Sequence, residues 1–202
     1  RGDDALHRHW LESRMKLTPD NPDLLRAHAH LLASMGDEEA ERAVRRLEAL
    51  GVDTAADRSL LSGLRARAGA RTEAIEAILQ ALEEDPSRSG DWLHYAQLLE
   101  AEGEFELALE ANERCLALAR QSGEAWALKA RLLAEKNGHE RDALKAATHA
   151  VALDAGGVDA VFLKAELLEL EGSAVAAEET LLKSLNAQPH NGELRARIAG
   201  RY

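Results

Sequence analysis

Histidines, a single cysteine and many carboxylates are the side chains of this 202-residue sequence that could carry chemistry. The histidine pairs His7/His9 and His28/His30 raise the question of a metal site. Residues two apart on a helix point about 200° away from each other, whereas helical chelates use spacings of three or four residues. Because no histidine pair has such a spacing, we expect no metal site. Cys115 stands alone, which excludes an internal disulfide and a zinc site built on several thiolates.

Other residues that could serve catalysis are not arranged for it. Acidic residues such as Glu102, Glu104 and Glu106 fall on the exteriors of predicted helices, where no pocket would make them general acids. Every recurrent glycine stands alone, so the sequence has no glycine-rich phosphate loop. We therefore predict that the chain is not an enzyme and has no catalytic residue, no metal ligand and no cofactor.

The composition is that of a packed globular protein with an acidic surface, since 46% of the residues are hydrophobic and 30% are charged. The net charge of −11 disfavours a general nucleic-acid binder, which usually carries a basic surface. The longest apolar run is far shorter than the roughly 20 residues of a membrane span, and residues 1–30 contain no signal-peptide core. We expect a soluble chain, for which both the cytoplasm and a periplasm stay open.

A period of 34 or 35 residues organises the whole sequence. It is marked by one series of alanines and by a glycine four or five residues before each of them: Ala40, Ala74, Ala108, Ala143 and Ala177, with Gly36, Gly69, Gly103, Gly138 and Gly172. Apolar residues recur at helical spacing on both sides of each glycine, which predicts a unit of helix, glycine turn and helix. Asn21-Pro22 predicts a helix start, and Pro86 and Pro189 are expected to follow second helices.

This period divides the chain into five full repeats with a partial repeat at each end. The full repeats are predicted at 21–54, 55–88, 89–122, 123–157 and 158–191. We expect residues 1–20 to hold the second helix of a truncated or capping repeat, and 192–202 to form a partial repeat or capping helix. The sequence thus predicts an all-α chain of about twelve helices in one continuous solenoid domain, cut from a longer array or begun by an unusual cap.

The repeat resembles the tetratricopeptide repeat (TPR), a 34-residue antiparallel helix pair. The resemblance rests on columns of equivalent residues: bulky Trp92 and Trp126 with Leu24 and Val161 in register; small Ala96, Ala130, Ala165 and Ala199; and small Ala81, Cys115, Ala150 and Ser184. Cys115 is therefore expected to be a buried, inert thiol. Arg58 departs from the bulky column, and His28 and Ser62 depart from the small one. The resemblance implies a right-handed superhelix whose first helices line a concave groove.

TPR proteins bind peptides with particular first-helix positions, and the resemblance transfers that role to the matching residues here. These partner-binding candidates are Leu25, Arg67, Leu93, Gln97, Glu100, Arg131, Phe162, Glu166 and Glu169. The groove is predicted to be small and neutral in its N-terminal half and acidic in its C-terminal half. We expect a basic partner segment near Glu166 and Glu169, with an apolar side chain against Leu93 or Phe162. Alternatively, the apolar pair only packs against the adjoining repeat and the acids are a solvated helix face.

These patterns favour a scaffold or adaptor that binds a peptide segment of a partner protein, with bacterial assembly or export factors as the nearest analogy. The family's co-chaperones hold a peptide carboxylate with Lys and Asn at groove positions that contain neither residue here, so a chaperone-tail receptor is disfavoured. Two alternatives stay open. The chain could be an accessory domain of a larger enzyme such as a transferase, or a homo-oligomer that self-associates through the helix around Trp10. Light scattering that shows a strict monomer at high concentration would eliminate the last alternative.

Overall fold

The computed structural model describes residues 2–136, 138–153 and 157–201, and over these ranges the chain forms helices and turns without a strand. Residues 1, 137, 154–156 and 202, which fall in the predicted fourth repeat and in the two ends, lie outside the described part. Two units are distinguished, 1–98 and 99–202. The all-α prediction is confirmed, as is the count of about twelve helices for the described residues.

Unit 1 contains five helices and most of a sixth. Their bounds are α1 Gly2–Leu17, α2 Pro22–Met35, α3 Glu39–Ala49, α4 Ala55–Arg67, α5 Arg71–Glu84 and α6 Ser89–Glu102, whose last turn belongs to unit 2. Consecutive helices from α1 to α5 pack against each other, and α2 also contacts α4. The helices α2, α4 and α6 are the first helices of the predicted repeats, while α3 and α5 are second helices.

Unit 2 continues the same alternation. Its helices are α7 Phe105–Leu118, α8 Gly123–Ala134, α9 Glu140–Ala152, α10 Gly157–Leu170, α11 Ala174–Ala187 and α12 Gly192–Ala199. Consecutive helices from α7 to α12 pack against each other, and the first helices α8 and α10 are also in contact. Among the described residues, none of the helices combines the length and the apolar character that crossing a bilayer requires.

Local sequence signals set the helix ends. The Asn21 side chain accepts hydrogen bonds from the backbone N–H groups of Asp23 and Leu24, and Pro22 occupies the first helical position, so the predicted start is confirmed. The five recurrent glycines have φ between +73° and +86°, the left-handed region that glycine enters without a Cβ penalty. The helices α5 and α11 end two residues before Pro86 and Pro189, as predicted.

Small residues allow the helices to approach closely. The alanines of the repeat column, Ala40, Ala74, Ala108, Ala143 and Ala177, are completely or almost completely buried. In unit 1, Ala40 forms a buried cluster with Leu32 and Ala33 of α2, and Leu60 and Leu64 of α4 pack against this cluster. The α2–α3 pair therefore completes its core on α4 of the next repeat, which is the packing that a solenoid needs.

The helix α1 is held by one buried leucine and by a charged network. Leu11 is 1% exposed, whereas Trp10 is 53% exposed. The Arg8 guanidinium donates to Glu12, Asp37 and Glu39 over 2.7, 2.6 and 3.1 Å, which ties α1 to the turn between α2 and α3.

Candidate functional site

The first helices of each unit form a wall, and the predicted groove residues lie on these walls. We call the surface of α2, α4 and α6 in unit 1 the first wall, and the surface of α8, α10 and α12, with the last turn of α6, in unit 2 the second wall. The first wall holds Leu25, Arg67, Leu93 and Gln97, and the second holds Glu100, Arg131, Phe162, Glu166 and Glu169.

The apolar candidates lie inside the walls. Leu25, Leu93 and Phe162 are 1%, 8% and 5% exposed, so little of these side chains is available to a partner. The guanidinium carbon of Arg197, on α12, lies 4.3 Å from the centroid of the Phe162 ring and covers it. Burial of this kind is what packing against the adjoining repeat requires. Arg67 and Gln97, by contrast, are exposed.

Polar contacts join neighbouring first helices across the first wall. The Arg26 side chain donates from Nε to Asp57 over 2.9 Å and also reaches the carbonyl of Val52. Asp57 in turn accepts from the backbone N–H and the hydroxyl of Thr54, which forms a capping box at the start of α4. This buried carboxylate is not among the predicted site residues, although a signal for it exists: Asp57 lies one repeat after Asp23 and one repeat before Asp91, which is also buried.

The two departures from the small column have different surroundings. Ser62 is fully buried, and its hydroxyl donates to the carbonyl of Ala74 over 2.7 Å. Since its only hydrogen is used there, the hydroxyl accepts from Nε2–H of His94, 3.0 Å away. His28 is buried as well, but neither ring nitrogen has a hydrogen-bond partner among the described residues. Burial lowers the pKa of His94, and the nearby Asp91 carboxylate opposes that shift.

Acidification is expected to destabilise the chain in part through His94. Because the folded pKa of His94 lies below its ordinary value of 6.5, the unfolded chain binds more protons between the two pKa values. This contribution to stability is complete above pH 6.5 and is lost as the pH falls through the folded pKa. We expect the free energy of unfolding to fall less between pH 7.5 and pH 5.0 in His94→Gln than in the unchanged chain, as measured by urea unfolding. Glutamine keeps a hydrogen-bond donor for Ser62. An identical drop in both chains would contradict this role of His94.

Ion pairs link neighbouring first helices on the second wall. Arg131 on α8 donates to both carboxylate oxygens of Glu100 over 3.0 and 2.9 Å, and this bidentate bond raises the pKa of Arg131. Arg201 pairs with Glu169, and Arg197 pairs with Asp159. The predicted groove acids Glu100 and Glu169, and also Asp159, are thus already neutralised by arginines of the chain itself.

Two exposed acids of the second wall keep their charge uncompensated. Glu124 on α8 and Glu166 on the adjacent α10 make no ion pair with any described residue. A carboxylate without an internal partner can attract a cation from outside, whereas a paired one must first release its arginine. Of the predicted groove acids, Glu166 therefore keeps its charge available to a partner, and the structure adds Glu124 to it.

The remaining candidates for chemistry lie apart from each other. Cys115 is buried at 1% exposure, as predicted, and burial raises the pKa of its thiol, with a smaller contribution from the Glu124 charge. A thiol held protonated in this way is a poor nucleophile. Within 2–136, 138–153 and 157–201, the histidines, cysteine and acids form no group of three or more that could hold a metal ion.

Solved structures with the same architecture are numerous, although no protein-family model and no curated protein matches the sequence. A crystal structure of PilW, described as a widely conserved type IV pilus biogenesis factor, superposes with a TM-score of 0.81 at 21% identity, covering 98% of this chain and 91% of PilW. For PilF from Pseudomonas aeruginosa the TM-score is 0.79 at 19% identity, with 99% of this chain and 91% of PilF covered. YrrB, described as a TPR protein with an unusual peptide-binding site, superposes with a TM-score of 0.69 at 20% identity, covering 94% of this chain and 97% of YrrB. The fold is therefore the TPR helical-repeat fold that the residue columns predicted.

Proposed function

We propose that the chain is a non-enzymatic scaffold that binds a basic peptide segment of a partner protein along the second wall. The observation that supports this most directly is the pair of exposed, uncompensated carboxylates of Glu124 and Glu166 on adjacent first helices. Glu100, Asp159 and Glu169 of the same wall are paired with arginines, so an external cation is attracted more strongly by Glu124 and Glu166 than by these three acids. The TPR fold supports a role in protein–protein interaction, because such repeats use extended surfaces for binding.

The apolar part of the proposed contact is smaller than the residue types alone indicate. Leu93 and Phe162 are almost fully buried, so they shape the walls from beneath more than they offer side-chain surface. The Arg197 guanidinium over Phe162 would have to move before a partner side chain could reach the ring. We therefore propose recognition by charge and backbone contacts, with apolar anchoring as a minor contribution.

The setting that we propose is a multiprotein assembly, as in the bacterial systems to which structurally similar proteins belong. PilW is described as a pilus biogenesis factor, and YrrB as having a peptide-binding site. These descriptions apply to those proteins, and they support testing peptide binding before any other activity.

Charge reversal tests this proposal. The probe is a fluorescein-labelled dodecapeptide that repeats Lys-Leu-Ala, measured by fluorescence anisotropy in 50 mM NaCl. Each exposed charge contact contributes about 0.2–1 kcal/mol, so Glu124→Lys combined with Glu166→Lys should weaken binding about tenfold or more. Raising the salt to 300 mM should reduce the difference, because screening weakens exposed charge pairs.

The matched control reverses two exposed acids on second helices of the same unit, Glu110 on α7 and Glu178 on α11. The variant Glu110→Lys with Glu178→Lys has the same net charge as the wall variant, so its affinity should stay within about twofold of the unchanged chain. If both double variants lose the same affinity, binding follows net charge alone and the second wall is not the site.

A further inference from the structure

A cavity of about 470 Å³ in unit 2 lies on the opposite side of α10 from Glu166. It is bounded by the second helices α9 and α11, by α10 between them, and by Leu194 of α12. Lys164 and Glu166 are two residues apart on α10, so their side chains point about 200° away from each other. A volume of this size is in the range of sites that hold small ligands or single peptide residues, roughly 300–1,000 Å³. The cavity is separate from the second wall and from the function proposed for it.

The cavity lies beside Val161, and in the preceding repeat the equivalent position holds a tryptophan. Trp126 stands 35 residues before Val161, at the equivalent place on α8, and its ring stacks on His149 with centroids 4.8 Å apart. Its indole N–H donates to the carbonyl of Arg120 over 2.9 Å, and Trp92, one repeat earlier, donates in the same way to the carbonyl of Pro86. The recess beside Trp126 is smaller, at about 350 Å³. The change from an indole to the valine side chain of Val161 thus enlarges the space in the last repeat.

The charged residues around the Val161 cavity differ from those around Trp126 in the preceding repeat. In the preceding repeat, Lys129 pairs with Glu113 over 3.2 Å. The equivalent residues one period later are Lys164 and Thr148, both of which line the cavity, so the lysine is kept while its carboxylate is replaced by a hydroxyl. Lys183 lines the cavity as well, at the place that His149 occupies one repeat earlier.

Both cavity lysines are without an ion pair in the part of the chain that the structure describes. Burial lowers the pKa of Lys164, and the positive charge of Lys183 lowers it further. Two lysines that repel each other in a chain of net charge −11 gain free energy when an anion lies between them. The hydroxyls of Thr148 and Ser184 add hydrogen-bond donors, and Val151, Val158 and Val161 provide an apolar side.

We propose that this cavity binds a carboxylate carried on a compact apolar group, with Lys164 and Lys183 holding the carboxylate and the valines contacting the apolar part. Such a group occurs as a free small carboxylic acid and as the C-terminal residue of a peptide. Both sources share the chemistry that the cavity recognises, so the experiment includes both.

The test uses N-acetyl-leucine and an acetylated pentapeptide ending in leucine, each as the free acid and as the amide. Titrations are followed by the ¹H–¹⁵N NMR spectrum of the full chain. The free acids should bind saturably, with the largest shift changes at the ends of α9 and in α10 and α11, and the amides should bind at least tenfold more weakly. Tighter binding of the peptide acid identifies a protein C-terminus as the source, and tighter binding of N-acetyl-leucine identifies a small molecule. Either result supports the site.

Three variants distinguish binding of the acid in the cavity from non-specific attraction of the acid to positive charges. Lys164→Met combined with Lys183→Met should weaken acid binding at least tenfold. Val161→Trp restores the residue type of the preceding repeat and should block the cavity. Thr148→Glu supplies the missing internal carboxylate and should compete with the ligand, which keeps the test informative even where the larger tryptophan is not tolerated. Circular dichroism confirms that each variant is folded.

The control is Lys129→Met, which removes the equivalent lysine of the preceding repeat and should leave acid binding within twofold. The proposal is overturned if the amides bind as well as the acids, if Lys129→Met reduces binding as much as the cavity variants, or if no acid binds saturably.

Discussion

Replacing Asp57 with alanine is expected to lower the free energy of unfolding by about 3 kcal/mol. The side chain of Asp57 is 2% exposed and accepts three hydrogen bonds, one from Arg26 and two from Thr54. Its removal leaves the Arg26 charge with only the exposed carboxylate of Asp23, 3.7 Å away, and leaves the first turn of α4 without its capping box. Loss of a helix cap alone costs about 0.5–2 kcal/mol, and breaking a buried ion pair costs more.

The repeat itself supplies the control for Asp57. Asp23 lies one period earlier on α2, its side chain is 94% exposed, and its distance to Arg26 is 3.7 Å. Asp23→Ala is expected to change the free energy of unfolding by less than about 0.5 kcal/mol. Urea unfolding followed by circular dichroism measures both variants. Equal effects of the two substitutions would show that the buried hydrogen bonds of Asp57 do not stabilise unit 1.

Enlarging the repeat alanine in α3 is expected to produce the second large effect. Ala40→Leu should destabilise the chain by roughly 2–3 kcal/mol, because Ala40 is fully buried between α2 and α4. The added carbon atoms would have to fit into the cluster of Leu32 and Ala33, against which Leu60 and Leu64 pack. Ala49→Leu, at the exposed end of the same helix, should change the stability by no more than about 0.5 kcal/mol.

The alanine pair is measured by thermal and urea unfolding under identical conditions. Because both substitutions convert alanine to leucine on α3, differences in helix propensity largely cancel. A stability loss at Ala49 as large as that at Ala40 would mean that the 34-residue column does not mark the tightest helix contact in this part of unit 1.

The repeat pattern was sufficient to predict the helices and their turns. Glycine at φ near +80° and asparagine followed by proline act locally, so their structural consequences can be read from a few residues. The burial of small side chains also follows from the period, since each helix pair must cover the next. These features depend on residue type and spacing alone.

The side-chain contacts of the walls depended on more than spacing. Glu100 and Arg131 are 31 residues apart, and this separation in the sequence does not reveal that their side chains meet. A column of equivalent residues in successive repeats predicts which positions lie in the groove. It does not reveal that the Arg197 guanidinium covers the Phe162 ring. For the cavity, the signal was present in the sequence: Val161 stands in a column that holds tryptophan in the two preceding repeats. The sequence alone does not show that Thr148 on α9 and Lys183 on α11 line the space beside this valine.

The ion pairs between first helices also make each repeat specific for its neighbour in the chain. On the second wall the carboxylate belongs to the earlier helix and the arginine to the later one, as in Glu100 with Arg131 and Asp159 with Arg197. On the first wall the polarity is reversed, since Arg26 precedes Asp57. Shuffling or duplicating these modules would separate the matched charges even though the backbone geometry stayed the same. The repeats of this chain thus carry charged side chains that match their present neighbours, and a consensus repeat that averaged them would lose these pairs.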